Sequence, residues 1–279
     1  ENLIKEAQDV IAKSLKAKPG EIFFTSGGTE SNNTAIIGTA MKNHRRGKHI
    51  ITSRIEHASV YESMRFLEEQ GFEVTYLDVD KKGYLRLDEL EEAIRPDTTL
   101  VSLMFVNNEI GTVQPVKEAG EIIKKKNPET VFHVDAIQAY GKMPITPKNM
   151  KIDLLSMSGH KIHGPKGVGF LYVREGTKIQ PLIYGGGQQK GMRSGTENVP
   201  GIAGLGCACR LMIGEQYENA DKIRKIKEYF QERIQEIDDI IDNSGEAPHI
   251  ASISFKGLRS EVLLHALEER EIYVSSGSA

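Results

Sequence analysis

The residues best suited to chemistry lie in three short segments, each placed where an apolar run gives way to a turn. Thr25-Ser-Gly-Gly-Thr-Glu-Ser-Asn32 passes from a strand pattern through a Gly-Gly turn into a helical one. Free backbone N–H groups at a helix start around Gly28 and Thr29, with the Thr29 hydroxyl, would bind a phosphate. A simple helix cap with a tight turn is the competing reading. Asp135 closes the apolar run Val131-Phe-His-Val134, where a buried carboxylate needs a cationic or protonated partner. A pyridinium nitrogen would meet that need, and capping of the next helix is the alternative; Gln138, just beyond, would face the same cleft. Ser156-Met-Ser-Gly-His-Lys161 closes another strand, and a lysine in a partly desolvated cleft sheds its proton more readily and can attack an aldehyde. Lys161 is therefore the candidate amine. The following Gly164-Pro-Lys-Gly-Val-Gly169 lacks the spacing of a nucleotide loop and leads into a strand rather than a helix.

His57, in Ile55-Glu-His-Ala-Ser59, and Asn108, in Val106-Asn-Asn-Glu-Ile-Gly111, also follow strand patterns. Taken singly each reads as structural, but together these residues would ring one crevice at the C-terminal ends of the strands, where open α/β sheets bind ligands.

The elements that must hold them follow from the periodicity. Short β-rich runs (Ile22–Thr25, His49–Thr52, Val74–Leu77, Leu100–Val106, Val131–Asp135, Ile152–Met157) alternate with helical patterns over Asn33–Met41, Ser59–Leu67, Asp88–Ile94 and Val116–Lys126. That alternation predicts βαβ units and a mostly parallel mixed sheet flanked by helices, with Val168–Val173 joining it antiparallel. After about Val199 a long helix carries Ile223, Ile226, Phe230 and Ile234, and a short strand Ile253–Phe255 and a helix Ser260–Glu269 complete a smaller α+β part. The boundary is placed near residue 215, giving a large domain over 1–215 and an incomplete small one over 216–279.

Composition excludes several classes. With 39% hydrophobic and 27% charged residues, a formal charge of −3 and no apolar run near the ~20 residues that span a bilayer, the chain reads as neither a membrane nor a nucleic-acid-binding protein. Its basic run His44-Arg-Arg-Gly-Lys-His49 reads as a solvated loop. Two cysteines, Cys207 and Cys209, stand in an apolar helical stretch without a second ligand pair, which argues for core residues and against a disulfide framework or a metal site. The chain opens on an amphipathic helix without a leader, as expected of a cytoplasmic protein entered in mid-fold.

Read in order, Thr-Ser-Gly-Gly-Thr-Glu-Ser-Asn-Asn, Glu-His-Ala-Ser, Asn-Asn-Glu-Ile-Gly-Thr, His-Val-Asp-Ala-Ile-Gln, Ser-Gly-His-Lys-Ile-His-Gly-Pro-Lys-Gly and Arg-Ser-Gly-Thr-Glu-Asn resemble the cysteine desulfurase family. The resemblance runs almost continuously over residues 21–200, and Tyr273-Val-Ser-Ser-Gly-Ser-Ala279 is similar to that family's lead-in to its active-site loop. It implies the fold type I architecture of the class V, pyridoxal-phosphate-dependent aminotransferases, with Lys161 holding pyridoxal 5'-phosphate as a Schiff base. It further implies that Asp135 pairs with the pyridine nitrogen, Gln138 bonds the ring phenolate oxygen, and His57 stacks on the ring as an acid/base group beside Asn108. Gly28, Thr29, Ser158 and His160 would hold the phosphate, and Thr196 would reach it from the second subunit of a homodimer.

The activity so implied removes sulfur from L-cysteine, leaving L-alanine and an enzyme persulfide that passes sulfur to acceptor or iron–sulfur scaffold proteins. A selenocysteine lyase or another class V aminotransferase shares the cofactor residues, and a non-catalytic scaffold of the same fold is the more distant alternative. The family's nucleophilic cysteine follows the lead-in that here ends at Ala279, so the chain as written is expected to hold the cofactor weakly and to form no persulfide.

Overall fold

A computed structural model describes residues 1–276, apart from the side chains of residues 215–217. Helix α1 (Asn2–Leu15) buries Ala7, Ile11 and Leu15 at helical spacing and stops at Lys16, whose left-handed backbone returns its N–H to the carbonyls of Ala12 and Lys13. The chain then alternates β1 (Ile22–Thr25), α2 (Gly28–Asn43), β2 (His49–Ser53), α3 (Ala58–Glu69), β3 (Glu73–Leu77), α4 (Leu87–Ala93), β4 (Thr98–Met104), α5 (Val116–Lys126) and β5 (Val131–Asp135). Strands β6 (Leu154–Ser158) and β7 (Gly169–Val173) follow, and a helix, α6 (Val199–Ile234), leads to β8 (Ile240–Asp242), β9 (Ile253–Phe255) and α7 (Ser260–Glu268).

The first seven strands form one sheet in the order β1-β7-β6-β5-β4-β2-β3. The pairs β6–β5, β5–β4, β4–β2 and β2–β3 are parallel, whereas β7 runs antiparallel to both β1 and β6. Every residue of β2, β4, β5, β6 and β7 is buried, as a sheet covered on both faces requires. Successive residues point to opposite faces. Thus Leu100, Leu154 and Leu171 pack with Ala35, Ile36, Val60 and Met64 of α2 and α3, while Val101, Phe132, Leu155 and Phe170 pack with Ile11 of α1, Ile123 of α5 and Leu205 of α6. Burying such side chains contributes about 1.5–3 kcal/mol each before entropy is counted.

Strand β4 ends earlier than its apolar run. Beyond Met104 the chain folds back on itself, with Asn107 N–H donating to Thr112 O and Gln114 N–H to Phe105 O. Asn107 Oδ1 accepts from the N–H groups of Glu109 and Ile110, which stabilises the turn that presents Asn108. The predicted antiparallel strand is present as β7. Gly169 on it is obligatory for packing: a Cβ there would lie 2.4 Å from Met157 O and 2.8 Å from Gly27 Cα, so the turn before α2 could not settle against the sheet.

The expectation that both cysteines are core residues requires correction. Cys209 is buried, with Tyr140 Oη within 3.7 Å of its Sγ, but Cys207 is exposed. Residues two apart on a helix point roughly 200° from one another, so one face of α6 cannot bury both. The position expected for a domain boundary, near residue 215, lies within the unbroken helix α6. Beyond that helix, β8 and β9 form a separate two-stranded antiparallel sheet. Among the described residues no helix is long and apolar enough to cross a membrane.

Candidate active site

The sheet brings the chemistry-bearing residues to one edge. Asp135 is in register with Met104 of β4 and with Ser156 of β6, and Ser158 and Thr25 both align with Gly169. The loops leaving β2, β4, β5 and β6 therefore open on a common crevice of about 330 Å³. Gly28, Thr29, His57, Asn108, Asp135, Gln138, Ser158, His160 and Lys161 all line it. Thr196 does not: it is exposed and lines a separate small pocket with Ser26, Gly167 and Arg193.

At one end, α2 begins at Gly28 without any side-chain cap, so its first N–H groups remain available. A Cβ on Gly28 would meet Ile137 Cδ1 at 2.2 Å, so a larger residue at this helix start would have to displace the Ile137 side chain. Opposite it, Ser158 Oγ and His160 Nδ1 lie 2.9 Å apart. Burial, reinforced by Lys161, Lys166 and Lys142, holds the His160 imidazole below its ordinary pKa. A helix N-terminus, a hydroxyl and an imidazole converge at this end of the crevice, a donor set suited to a phosphate.

Asp135 occupies the floor, 5% exposed. Its Oδ1 accepts from Ile137 N–H at 3.0 Å and its Oδ2 from Asn32 Nδ2 at 2.8 Å. Burial raises its pKa, while those two bonds and the His57 charge oppose the rise. The capping alternative and the ligand-facing reading thus coexist, for Asp135 caps the turn after β5 and still lines the crevice. No lysine or arginine pairs with it among the described residues.

Asn32 was not singled out in the sequence, though it lies within the first motif, one helical turn beyond Gly28. Its Nδ2 also donates to Ser59 Oγ at 2.9 Å, and Ser59 Oγ lies 2.9 Å from His57 Nδ1. A continuous chain of hydrogen bonds therefore joins the Asp135 carboxylate to the His57 ring. His57 caps α3, its Nδ1 accepting from Ser59 N–H at 3.1 Å, which leaves Nε2 as the position for the proton of a neutral ring. Only the spatial neighbourhood of α2 and α3 makes this chain visible.

Glu56 was also missed. Its Oε1 accepts from Ser53 Oγ at 2.6 Å and from Met104 N–H at 2.9 Å, but Oε2 is buried without a partner. Burial, helped by the nearby Asp135 charge, pushes its pKa up to about 8. A carboxyl protonated in the fold up to about 8, yet ionising near 4.5 when unfolded, contributes stability that is complete below 4.5 and lost as pH rises towards 8. Glu56→Gln is expected to flatten this fall, by roughly 3–4 kcal/mol between pH 5 and pH 8. Urea unfolding of both proteins at the two pH values measures it, and parallel pH dependences would refute the assignment.

Residues 1–279 match the aminotransferase class-V family. The cysteine desulfurase IscS of Methanosarcina thermophila is 50% identical over 279 residues, covering 99% of this chain and 69% of the relative. The chain belongs to the cysteine desulfurases of that family. Among solved structures, a NifS-like protein superposes with a TM-score of 0.96 at 42% identity, over 99% of this chain and 76% of its own. Another, described as SspA in complex with cysteine, gives 0.84 at 40% identity over 100% and 78%. The class V, fold type I architecture expected from the motifs is thereby established for this desulfurase chain, including the antiparallel β7 within an otherwise largely parallel sheet.

The pyridoxal phosphate of this family fits the crevice on its own features. Its phosphate would be held by the uncapped start of α2. Its ring nitrogen would supply the protonated partner that buried Asp135 lacks among the described residues. Its aldehyde would be within the chemistry of Lys161, which forms no ion pair among the described residues. Ser275 of the C-terminal tail also lines the crevice, and residues 277–279 of the lead-in fall outside the described residues.

Proposed function

We propose that this chain removes sulfur from L-cysteine, giving L-alanine and a protein-bound persulfide, with Lys161 as the lysine that binds pyridoxal phosphate. The observation that carries the reading is the meeting of Lys161 with the cation-free, buried Asp135 in a crevice whose far end is an uncapped helix start. Pyridoxal phosphate, when bound, supplies an electron-accepting ring for the pair of electrons released at the substrate α-carbon.

The chain's own residues then divide the remaining work. Gly28, Thr29, Ser158 and His160 would bind the phosphate. Asp135, held by Asn32 and Ile137, would keep a proton at the ring nitrogen, and Gln138 would hydrogen-bond the ring's phenolate oxygen. His57, which lines the crevice with Asn108, would hold a proton at Nε2. Lys161, once displaced by substrate, carries a proton to and from the α-carbon.

Sulfur leaves by attack of a thiolate on the substrate sulfur atom, so an acceptor thiol has to reach the crevice mouth. Among the described residues no thiol lines it, and the tail beyond Ser275 is the route that the family resemblance assigns to that group. A homodimer in which Thr196 completes the partner's phosphate site, sulfur delivery to iron–sulfur scaffold or other acceptor proteins, and a cytoplasmic setting complete the proposal. The exposed position of Thr196 supports the first of these.

The full protein, incubated with L-cysteine and dithiothreitol, is expected to release alanine and sulfide in equal amounts without any keto acid. Alanine formed only when a keto acid is consumed would make the protein an aminotransferase instead.

A further inference from the structure

Segment 245–250, between β8 and β9, is bound to the loop that carries Asn108: Gly245 N–H donates to Ile110 O at 2.6 Å and Ala247 N–H to Gly111 O at 2.9 Å. Lys227 of α6 fastens the same segment by donating from Nζ to the carbonyls of Gly245 and Ala247. From this anchored segment the imidazole of His249 reaches towards the crevice, and its Nε2 stands 3.4 Å from Oε1 of Gln138.

The tautomer follows from chemistry. An amide oxygen only accepts, so His249 Nε2 carries the hydrogen and Nδ1 is left with a bare lone pair. Nδ1 is buried and has no hydrogen-bond partner. The charged groups acting on the ring are cations, Lys142, Lys227 and Lys161, which disfavour a second N–H on it. Burial, with those cations, pushes the His249 pKa down to about 3, so the ring is neutral across the physiological range. With its Oε1 occupied by His249, Gln138 has its Nε2 free to donate.

We propose that His249 is a positioning residue that fixes the Gln138 amide with its NH2 group towards the crevice, committing that side chain to donate a hydrogen bond to an anionic oxygen of the bound ring. The inference rests on the reading that the crevice binds pyridoxal phosphate, and it deepens that reading by naming what orients one of its contacts. It also means that a segment outside the main sheet sets the polarity of one cofactor contact.

The test compares pyridoxal phosphate with its 3-deoxy analogue, which lacks the ring hydroxyl, by titrating each into the cofactor-free form of the full protein. His249→Leu is expected to weaken pyridoxal phosphate about tenfold and to leave the analogue within about twofold, the effect of losing one oriented hydrogen bond. His249→Gln, which keeps a donor at similar reach, is expected to restore most of the preference. In a Gln138→Leu background, where the preference is already lost, His249→Leu is expected to add no further selectivity. Equal weakening of both ligands, or an unchanged preference in His249→Leu, would overturn the inference while leaving the cofactor reading intact. Failure of the unsubstituted protein to bind either ligand would overturn both.

Discussion

Replacing Lys161 by alanine is expected to remove the yellow colour of the purified protein and to lower turnover of cysteine by roughly 10²–10⁴-fold, the usual contribution of a positioned proton-transfer group, with loss of the covalent cofactor link adding to it. The lysine occupies a short turn, Gly159–Ile162, directly after β6, beside Ser158 and His160. Its main-chain carbonyl accepts from Lys142 Nζ at 3.0 Å, so the backbone of that turn stays anchored when the side chain is removed. Folding should therefore survive, and the variant should still take up cofactor reversibly through the phosphate end. A substituted protein that keeps both colour and turnover would place the reactive amine on another residue.

Asp135→Asn is expected to reduce turnover by on the order of 10²–10³-fold, as does loss of one preorganised group facing developing charge, while leaving the cofactor-free protein at least as stable. The two effects separate because the carboxylate is buried without a lysine or arginine partner among the described residues, so neutralising it relieves a desolvation cost. Asparagine Oδ1 can still accept from Ile137 N–H, and Asn32, whose own Oδ1 has no partner, can turn its amide to accept from the new NH2 group. Thermal unfolding set beside steady-state rates distinguishes this from a structural role. A variant of lowered melting temperature and unchanged rate per folded molecule would make Asp135 a turn cap alone.

Much of the site was legible because each element that builds it is locally encoded. The run Val131–Asp135 carries β-branched and aromatic residues up to its final carboxylate, and it forms β5 with those bounds. Gly27 and Gly28 mark the start of α2, and their lack of side chains lets the helix approach Ile137 and Ser158. The antiparallel strand β7 could be anticipated from the glycine-rich turn before it. What escaped were consequences of tertiary neighbourhood. Asn32 reads as an ordinary polar helix residue until α2 packs beside β5 and α3, where its amide bridges Asp135 and Ser59. Glu56 sits beside His57 in sequence, but only the close approach of Met104 N–H shows that its carboxyl is sealed from water. His249 belongs to a segment more than a hundred residues from Gln138, a separation no periodicity bridges. Cys207 and Cys209 illustrate the converse error, since an apolar stretch was read without regard to which face of α6 each thiol would take.

Three lysines compete as the amine that would hold the cofactor, because Lys142 and Lys166 also lie close to the crevice, the former against the Lys161 carbonyl and the latter beside Ser158 and His160. Reducing the yellow protein with borohydride, digesting it and locating the pyridoxyl group by mass spectrometry answers that directly. The mass should appear on Lys161 alone, in stoichiometric amount, and be missing from Lys161→Ala. A stoichiometric label on Lys142, Lys166 or any other lysine would contradict the assignment of the site.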